Sequence, residues 1–218
     1  VKAIKKQVPN SNVFIVDDSK NNDIGKLILK KKIKAKYFHR KEKSGRGSAV
    51  MYGIKKAIKN KKNNLFIEMD ADFSHNPNEL RKNIEYFSDN NLDLLIASRY
   101  LKKSKIINWG LNRRILSKLS NVLARVLLGV KIKDFTNGFR IYSKRATEII
   151  TKKCGNIGDG FIILSEIIIV LKNNSFKIDE TETIFVNRTR GESSVNTKLI
   201  LASLYGILKL YFIKNKLN

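Results

Sequence analysis

Short apolar runs alternate along the chain with longer segments of helical periodicity. The apolar runs predict strands, each followed directly by a polar cluster, at Val13 to Val16, Leu65 to Met69, Leu94 to Ala97 and Thr183 to Val186. The periodic segments predict helices at Ile24 to Lys32, Ser48 to Lys59, Asn78 to Phe87, Leu111 to Leu128, Gly160 to Leu171 and Thr197 to Ile213. This alternation predicts an α/β fold with a mostly parallel sheet flanked by helices.

The polar clusters after the strands are the candidate functional site. They are Asp17-Asp18-Ser19, Asp70-Ala71-Asp72, Ser98-Arg99-Tyr100 and the segment 187–192. Because the carboxyl ends of neighbouring parallel strands face one edge of a sheet, we expect the clusters to converge on one crevice. Any one cluster by itself is better explained by the polarity of loops. The combination of carboxylates with arginines favours a site.

Asp70 and Asp72 are the sharpest feature, since carboxylates one residue apart project to the same side. Oxygen ligands of this kind suit Mg²⁺ or Mn²⁺, and Ser74 and His75 follow within reach. An Asp-x-Asp triplet alone is more typical of a solvated loop. The arginines supply context, because guanidinium groups bind phosphates bidentately; they are Arg99, Arg113, Arg114, Arg188 and Arg190. A cation site beside several arginines fits two phosphorylated ligands in one crevice.

Composition narrows the class of protein. The chain has 218 residues, 42% of them hydrophobic, which is enough for one domain with a core. One cysteine excludes an internal disulfide and a cysteine metal cluster, and it favours a reducing compartment. The formal net charge of +25 predicts anionic partners. Nucleic acid would satisfy the charge, but the basic residues are scattered over helix ends, without an interleaved aromatic run or a helix-turn-helix signature.

The last apolar stretch, Leu199 to Ile213, is about fifteen residues long and contains Lys209, whereas a bilayer crossing needs about 20. The sequence therefore predicts a helix that either lies at an anionic membrane surface or docks on its own domain.

Taken in order, the motifs resemble those of the dolichol-phosphate (polyprenyl-phosphate) mannosyltransferases, inverting family 2 glycosyltransferases with a Rossmann-like GT-A fold. The resemblance runs from Val13 to Ser194 and rests on Val16-Asp17-Asp18-Ser19, Gly45-Arg46-Gly47-Ser48-Ala49, Met69 to His75, Ser98-Arg99-Tyr100, Asp134 to Arg140 and Arg188 to Ser193. It implies a catalytic domain over residues 1–195 and an apolar, basic helix over 196–218.

The resemblance also implies roles for individual residues. Asp17 and Asp18 would face the nucleotide of the donor, while Asp70, Asp72 and Ser74 would bind the metal, Mg²⁺ or Mn²⁺, and the donor diphosphate. Arg99 and Arg113 match arginines that hold the acceptor phosphate. The remaining matches are Asp134, on the acceptor-side loop, and Arg188 and Ser193, at the donor phosphates. The residues expected to act in catalysis are Asp72, Arg99, Arg113 and Asp134.

The implied reaction moves a sugar, mannose or glucose, from a GDP- or UDP-sugar to a polyprenyl phosphate with inversion. The implied location is the cytoplasmic face of a membrane. One alternative is a transferase to a sugar hydroxyl, in which Asp134 would serve as base. Another is a basic fragment without catalysis that binds anions or nucleic acid.

The sequence departs from the family pattern in three places. The first strand of the family precedes the position of Val1, so we expect a truncated sheet. Asp23 lies one residue further from Asp18 than the family spacing, and Ser194 replaces a lysine. The last two departures affect the loops expected at the nucleotide and at the donor phosphates.

Overall fold

A computed structural model describes residues 1–41, 45–158, 160, 162–187 and 197–217, with the backbone alone for 197–204. The helices are α1 (Lys2–Gln7), α2 (Asp23–Lys30), α3 (Gly45–Ala57), α4 (Leu80–Asp89), α5 (Leu111–Leu128), α6 (Lys144–Lys153), α7 (Ile162–Asn173) and α8 (Thr197–Ile213). The strands are β1 (Phe14–Asp17), β2 (Lys36–His39), β3 (Leu65–Glu68), β4 (Leu94–Ser98), β5 (Lys105–Ile107), β6 (Arg140–Ser143), β7 (Ile178–Glu182) and β8 (Ile184–Val186). Short 3₁₀ turns lie at Pro77–Glu79 and Lys214–Lys216.

The strands form a central sheet and two smaller parallel pairs. The central sheet has the order β3-β6-β4-β7, in which β6 runs antiparallel to both neighbours and β4 runs parallel to β7. The pairs are β1 with β2 and β5 with β8. In the described part of the chain, β1 pairs with β2 alone. The predicted α/β architecture, with parallel sheet elements flanked by helices, is confirmed, although the central sheet is mixed because of β6.

The central sheet is covered on both faces, as the side chains of β4 show. Leu94 and Ile96 pack with α3, α6 and α7, whereas Leu95 packs against Phe87 of α4 on the opposite face. Successive side chains of a strand point to opposite faces, so a strand buried on both faces is apolar throughout. This is why Leu94–Ala97 reads as a continuous apolar run.

Several elements differ from the sequence-based expectations. The predicted helix over Leu111 to Leu128 matches α5, but α6 and the strands β2, β5, β6 and β7 were not predicted. The first residue of β6, Arg140, was predicted as the end of the loop Asp134 to Arg140. The segment becomes a strand because it inserts antiparallel between β3 and β4, a pairing between segments far apart in sequence. β7 contains three acidic residues in five, so it lacks the apolar signal of a buried strand.

Helix α5 carries the largest run of exposed apolar side chains described in the structure. It ends at Gly129, whose φ of 65° closes the helix in the left-handed region that glycine adopts without strain. Seven apolar side chains along it are 38–71% exposed: Leu111, Ile115, Leu116, Leu119, Val122, Leu123 and Val126. Helical periodicity places them on one stripe, with Arg114, Lys118 and Arg125 along one edge.

The residues described include no helix with the length and apolar character needed to span a bilayer. Helix α8 packs against α5 and α7. Its Ile207 and Leu210 are buried, while Tyr205 and Phe212 on its other side are exposed. One side of the helix therefore docks on the domain, which is one of the two predicted alternatives. The placement at a membrane surface stays a prediction.

Candidate active site

The end of β1 places Asp17 and Asp18 beside β2 and α3. Asp17 is buried and accepts hydrogen bonds from the Ser19 N–H (2.9 Å) and the Tyr37 hydroxyl (2.7 Å). Burial alone would raise the pKa of Asp17, but these donors hold it below its usual value. Asp18 is paired with Arg40, whose Nε lies 2.6 Å from Asp18 Oδ1. Both carboxylates are thus fixed by the protein.

Arg40 connects this cluster to the amino-terminal turn of α3. Its Nη1 donates to Ser48 Oγ at 2.7 Å. The predicted helix start at Gly45-Arg46-Gly47-Ser48 is observed, since α3 begins at Gly45. The adjacent Arg46 turns inward from the same helix end, towards β3. The first turn of α3 therefore contacts the polar clusters of both β1 and β3.

The turn after β3 carries Asp70, Asp72 and Ser74, and it folds Ser74 back onto Asp72. The Ser74 N–H and hydroxyl both donate to Asp72 Oδ1, at 3.0 and 2.6 Å. Between them, Phe73 has a φ of 63°, a left-handed conformation that is unfavourable for a bulky L-residue. The ring is 71% exposed, so packing of the ring does not account for this backbone. The strain accompanies a turn that folds Ser74 back onto the carboxylate.

Arg46 lies between two carboxylates of this region. Its Nη2 is 2.9 Å from Glu68 Oε1 and 3.1 Å from Asp70 Oδ1. Glu68 also accepts a hydrogen bond of 2.8 Å from the Tyr142 hydroxyl. Burial alone would raise the pKa of Asp70, but Arg46 and His75 hold it below its usual value. The sequence analysis missed the roles of Glu68 and Arg46 in this cluster. A charged residue, Glu68, directly after the apolar run Leu65-Phe66-Ile67 could have indicated a buried ion pair.

His75 connects the Asp70 turn to the loop before β6. The Asp70 N–H donates to His75 Nδ1 (2.9 Å), and His75 Nε2 lies 2.9 Å from Asn137 Oδ1. Because a backbone N–H only donates, Nδ1 is the acceptor and the ring proton is on Nε2. Asn137 in turn donates its side-chain N–H to the Ala97 carbonyl and its backbone N–H to Asp134. Two loops that are 62 residues apart in sequence are joined through this one imidazole.

Arg99 and Asp134 form a buried bidentate pair. Arg99 Nε and Nη2 lie 2.8 Å from the two oxygens of Asp134, and the Arg99 backbone N–H donates to the same carboxylate at 2.9 Å. Asp134 is fully buried, and Arg99 is 8% exposed. Burial alone would raise the pKa of Asp134, but the Arg99 guanidinium and the surrounding N–H groups keep it lowered. Asp134 is therefore held as a carboxylate that orients Arg99.

Arg113 approaches Arg99 through a shared aromatic ring. The Arg113 guanidinium carbon is 4.1 Å from the centroid of Trp109, and that of Arg99 is 5.3 Å from the same ring. Arg113 Nη1 also donates to Asn187 Oδ1 at 3.3 Å. Trp109 packs edge-on against Phe185 of β8. The two arginines predicted for the acceptor phosphate are thus brought together.

Two predicted site residues, Arg188 and Ser193, lie outside the described residues, as do Arg190 and Ser194. Four of the other predicted residues, Asp18, Asp70, Asp134 and Arg99, belong to two chains of contacts. One runs from Asp18 through Arg40 to α3, and the other runs from Asp70 through His75, Asn137 and Asp134 to Arg99. These contacts join the clusters that follow β3 and β4, and Arg113 contacts Asn187 at the start of the fourth cluster. The rest of that cluster, 188–192, lies outside the described residues. The convergence of all four clusters stays a prediction.

The donor atoms of the β3 turn suit a hard divalent cation. Asp70 and Asp72 supply carboxylate oxygens, and Ser74 supplies a hydroxyl, which are the ligands that Mg²⁺ and Mn²⁺ prefer. Among the described residues there is no group of three or more His, Cys, Asp and Glu side chains placed to hold a metal. Mg²⁺ commonly uses one or two carboxylates and takes its other ligands from water and substrate phosphates. The residues present fit that arrangement.

The family model described as Glycosyl transferase family 2 matches residues 1–150, and the chain belongs to this family of enzymes. A polyprenol monophosphomannose synthase from Mycolicibacterium smegmatis is 30% identical over 203 residues, covering 91% of this chain and 76% of that protein. A dolichol-phosphate mannosyltransferase from Pyrococcus furiosus is 33% identical over 205 residues, covering 92% of this chain. The chain spans 55% of the length of the Pyrococcus protein.

Solved structures show the same fold at low sequence identity. Glucosyl-3-phosphoglycerate synthase from Mycobacterium tuberculosis, in complex with Mn²⁺, UDP and phosphoglyceric acid, has a TM-score of 0.64 at 13% identity. The likeness covers 97% of this chain and 70% of that one. A second structure of the same synthase has a TM-score of 0.63. The expectation of a GT-A-like fold is confirmed.

Proposed function

We propose that the chain transfers a hexose, most simply mannose, from a nucleotide diphosphate sugar to a polyprenyl phosphate, with inversion and with a divalent cation. One observation carries the proposal: the turn that carries Asp70 is joined through His75, Asn137 and Asp134 to Arg99, which shares the Trp109 ring with Arg113. Carboxylates on one side suit a cation and a diphosphate, and arginines on the other side suit a second phosphate. The names of both curated relatives include mannose and a polyprenyl lipid, which supports this choice.

The chemistry needs little proton transfer. An acceptor phosphate monoester has a second pKa near 6, so its oxygen attacks the anomeric carbon at neutral pH without a general base. The bond from that carbon to the diphosphate breaks as the new bond forms on the opposite face, and the nucleotide diphosphate leaves. Arg113 and Arg99, whose guanidinium groups both lie close to the Trp109 ring, orient the attacking phosphate and compensate its charge. When bound, a cation on Asp70 and Asp72 supplies positive charge for the leaving diphosphate.

Asp134 argues against the alternative of a sugar hydroxyl acceptor. That reaction needs a base, and Asp134 was the predicted one. Its two oxygens are both engaged by Arg99, and its lowered pKa makes it a weak proton acceptor. An acceptor that is already an anion fits this site better.

We further propose that the exposed stripe of α5 docks on an anionic membrane surface, which the sequence predicts as a partner of the last helix, at the cytoplasmic face that the resemblance implies. The stripe supplies apolar side chains for the interface, and Arg114, Lys118 and Arg125 supply charge for acidic headgroups. Arg113 lies in the first turn of the same helix, so a docked α5 brings the arginine pair near the lipid phosphate. In this proposal residues 1–195 are the catalytic domain, and the helix over 196–218 adds its open side to the same surface.

The first experiment is a thermal-shift titration with GDP and with UDP, each with and without Mn²⁺, on the wild type and on Asp72→Asn. We expect one nucleotide to raise Tm in a Mn²⁺-dependent manner and the variant to lose that shift. Transfer from the matching nucleotide sugar is then measured to a short polyprenyl phosphate and to a polyprenol with a free hydroxyl. Equal transfer to both acceptors would contradict the phosphate acceptor, and no Mn²⁺-dependent shift with either nucleotide would contradict the donor site.

A further inference from the structure

Arg46 occupies an unusual position for a surface-helix arginine. It comes from the first turn of α3, yet its side chain is only 20% exposed and lies between Glu68 and Asp70. Glu68, at 11% exposure, is itself fixed by the Tyr142 hydroxyl from β6. The guanidinium is therefore held on one side by Glu68 of β3, which Tyr142 of β6 fixes. On its other side it contacts Asp70, in the turn that carries the proposed cation ligands.

Gly138 lies directly against this guanidinium. A Cβ added to Gly138 would overlap Arg46 Nη2 and would lie 2.7 Å from Arg46 Cζ. The guanidinium thus occupies the space that any other residue at 138 would fill. The absence of a side chain at 138 is what allows Arg46 to reach both carboxylates.

The charges of this cluster show what Arg46 contributes. Glu68 and Asp70 each carry a negative charge and Arg46 carries one positive charge, so the three side chains together carry the single negative charge that Asp70 would carry alone. Arg46 and Glu68 together therefore leave the net charge at the proposed cation site unchanged. Their effect is to orient the Asp70 carboxylate. Hydrogen bonds to a ligating carboxylate fix its rotamer before the metal arrives.

We propose that Arg46 is a positioning residue that holds the Asp70 carboxylate in the orientation required for the divalent cation, with Glu68 as its counterion. This inference rests on the proposed function, because it assumes that Asp70 binds the cation. Asp70 is 40% exposed, so without Arg46 the carboxylate would sample other rotamers in water.

The test separates orientation from charge. The double variant Arg46→Met/Glu68→Gln removes one positive and one negative charge, so its net charge equals that of the wild type, and the amide oxygen introduced at position 68 still accepts the Tyr142 hydrogen bond. Arg46→Met alone makes the cluster more negative by one charge. Arg81→Met, on the exposed surface of α4, is the matched control for loss of an arginine. Mn²⁺ binding is measured by electron paramagnetic resonance in the presence of GDP or UDP, with Tm and nucleotide binding without metal measured in parallel.

We expect the double variant to bind Mn²⁺ about tenfold or more weakly than the wild type, the range found for outer partners of metal ligands. Nucleotide binding without metal should be unchanged, and Arg46→Lys should recover part of the affinity. If charge alone mattered, Arg46→Met would bind Mn²⁺ more tightly and the double variant would match the wild type, and that result would overturn the proposal.

A wild type that binds no Mn²⁺ with either nucleotide would overturn the proposed metal-dependent donor site, and the role of Arg46 with it. A wild type that binds Mn²⁺ only as tightly as the double variant would overturn the role of Arg46 alone. If the double variant fails to fold, Gly138→Ala displaces the guanidinium without changing any charge. The same loss of Mn²⁺ affinity is then expected in Gly138→Ala, and unchanged affinity would overturn the proposal.

Discussion

The loops at the strand ends and helix α5 both depart from the usual distribution of side chains, because the first region buries polar groups and the second exposes apolar ones. At the strand ends His75, Arg99 and Asp134 are buried, although charged and polar residues usually remain at the surface. Along α5, Leu111 and Val126 are 71% and 70% exposed. The two regions meet at Arg113, which belongs to α5 and contacts the indole shared with Arg99.

The difference lies in where each region finds its partners. The buried polar groups satisfy one another within the protein, so their geometry is set before any ligand binds. Among the described residues, the apolar stripe of α5 is left exposed, and we propose that a surface outside the domain covers it. One region therefore has its geometry fixed within the protein, and the other is proposed to associate with a partner.

The largest expected effect comes from breaking the buried pair. Asp134→Ala leaves the Arg99 guanidinium buried without its carboxylate, and we expect the free energy of unfolding to fall by about 3–5 kcal/mol. Urea denaturation measures the change. Asp23→Ala is the control, because Asp23 forms an exposed pair with Lys26 at 3.6 Å and should have a far smaller effect. Equal effects of the two substitutions would contradict the contrast between interior and surface.

The next prediction concerns the stripe. Leu119→Glu/Val126→Glu places two carboxylates in the apolar face, and each buried leucine or valine contributes about 1.5–3 kcal/mol. We expect binding to phosphatidylcholine vesicles containing phosphatidylglycerol to weaken by more than about tenfold, with little change in Tm. Sedimentation of the protein with vesicles measures the binding. Leu29→Glu, on α2 and 79% exposed, is the matched control. Undiminished vesicle binding by the double variant would rule out docking through α5.

A smaller effect on stability is expected at Gly138, which lies against the Arg46 guanidinium. Gly138→Ala forces the guanidinium to shift, and overpacking of this kind costs about 1–3 kcal/mol. Gly158→Ala is the control, because its added Cβ would meet Ile162 Cγ2 at an ordinary 3.5 Å. Chemical denaturation of both variants tests the prediction. A Gly138 variant as stable as the Gly158 variant would show that the guanidinium has room to move.

The smallest effect concerns Glu166, which is buried in α7 and accepts a hydrogen bond from the Gly155 N–H at 3.1 Å. Its Oε1 has no hydrogen-bond partner among the described residues. Burial raises the pKa of Glu166, and the N–H groups of Gly155 and Asn156 offset this only in part. A raised pKa in the folded state means that stability is lost as pH rises through that pKa.

Glu166→Gln removes this ionisation, so the stability of the variant relative to the wild type should increase as pH rises from about 4 to about 8. The gain is about 1.4 kcal/mol for each unit by which folding raises the pKa. Thermal unfolding of both proteins across this range measures it. A difference in Tm that does not change with pH would contradict the prediction.

The sequence predicted the elements whose signals are local. Helix α5 was predicted within its observed bounds because its periodicity is regular and Gly129 ends it. The Asp70, Asp72 and Ser74 turn was predicted because its residues are adjacent in sequence. β6 was missed because its strand character comes from pairing with β3 and β4, which lie far away along the chain. The contacts of Arg46 with Glu68 and Asp70 were missed for the same reason, since 22 and 24 residues separate them. The roles of the individual site residues remain predictions.

Trp109 is the single tryptophan of the sequence, and its ring lies close to both of the arginines proposed to hold the acceptor phosphate. The emission of an indole depends on the charge and the water beside it. A phosphate that draws the Arg113 guanidinium away from the ring would change both. The wild-type protein therefore carries its own optical reporter, and stopped-flow fluorescence would follow acceptor arrival in real time without a label.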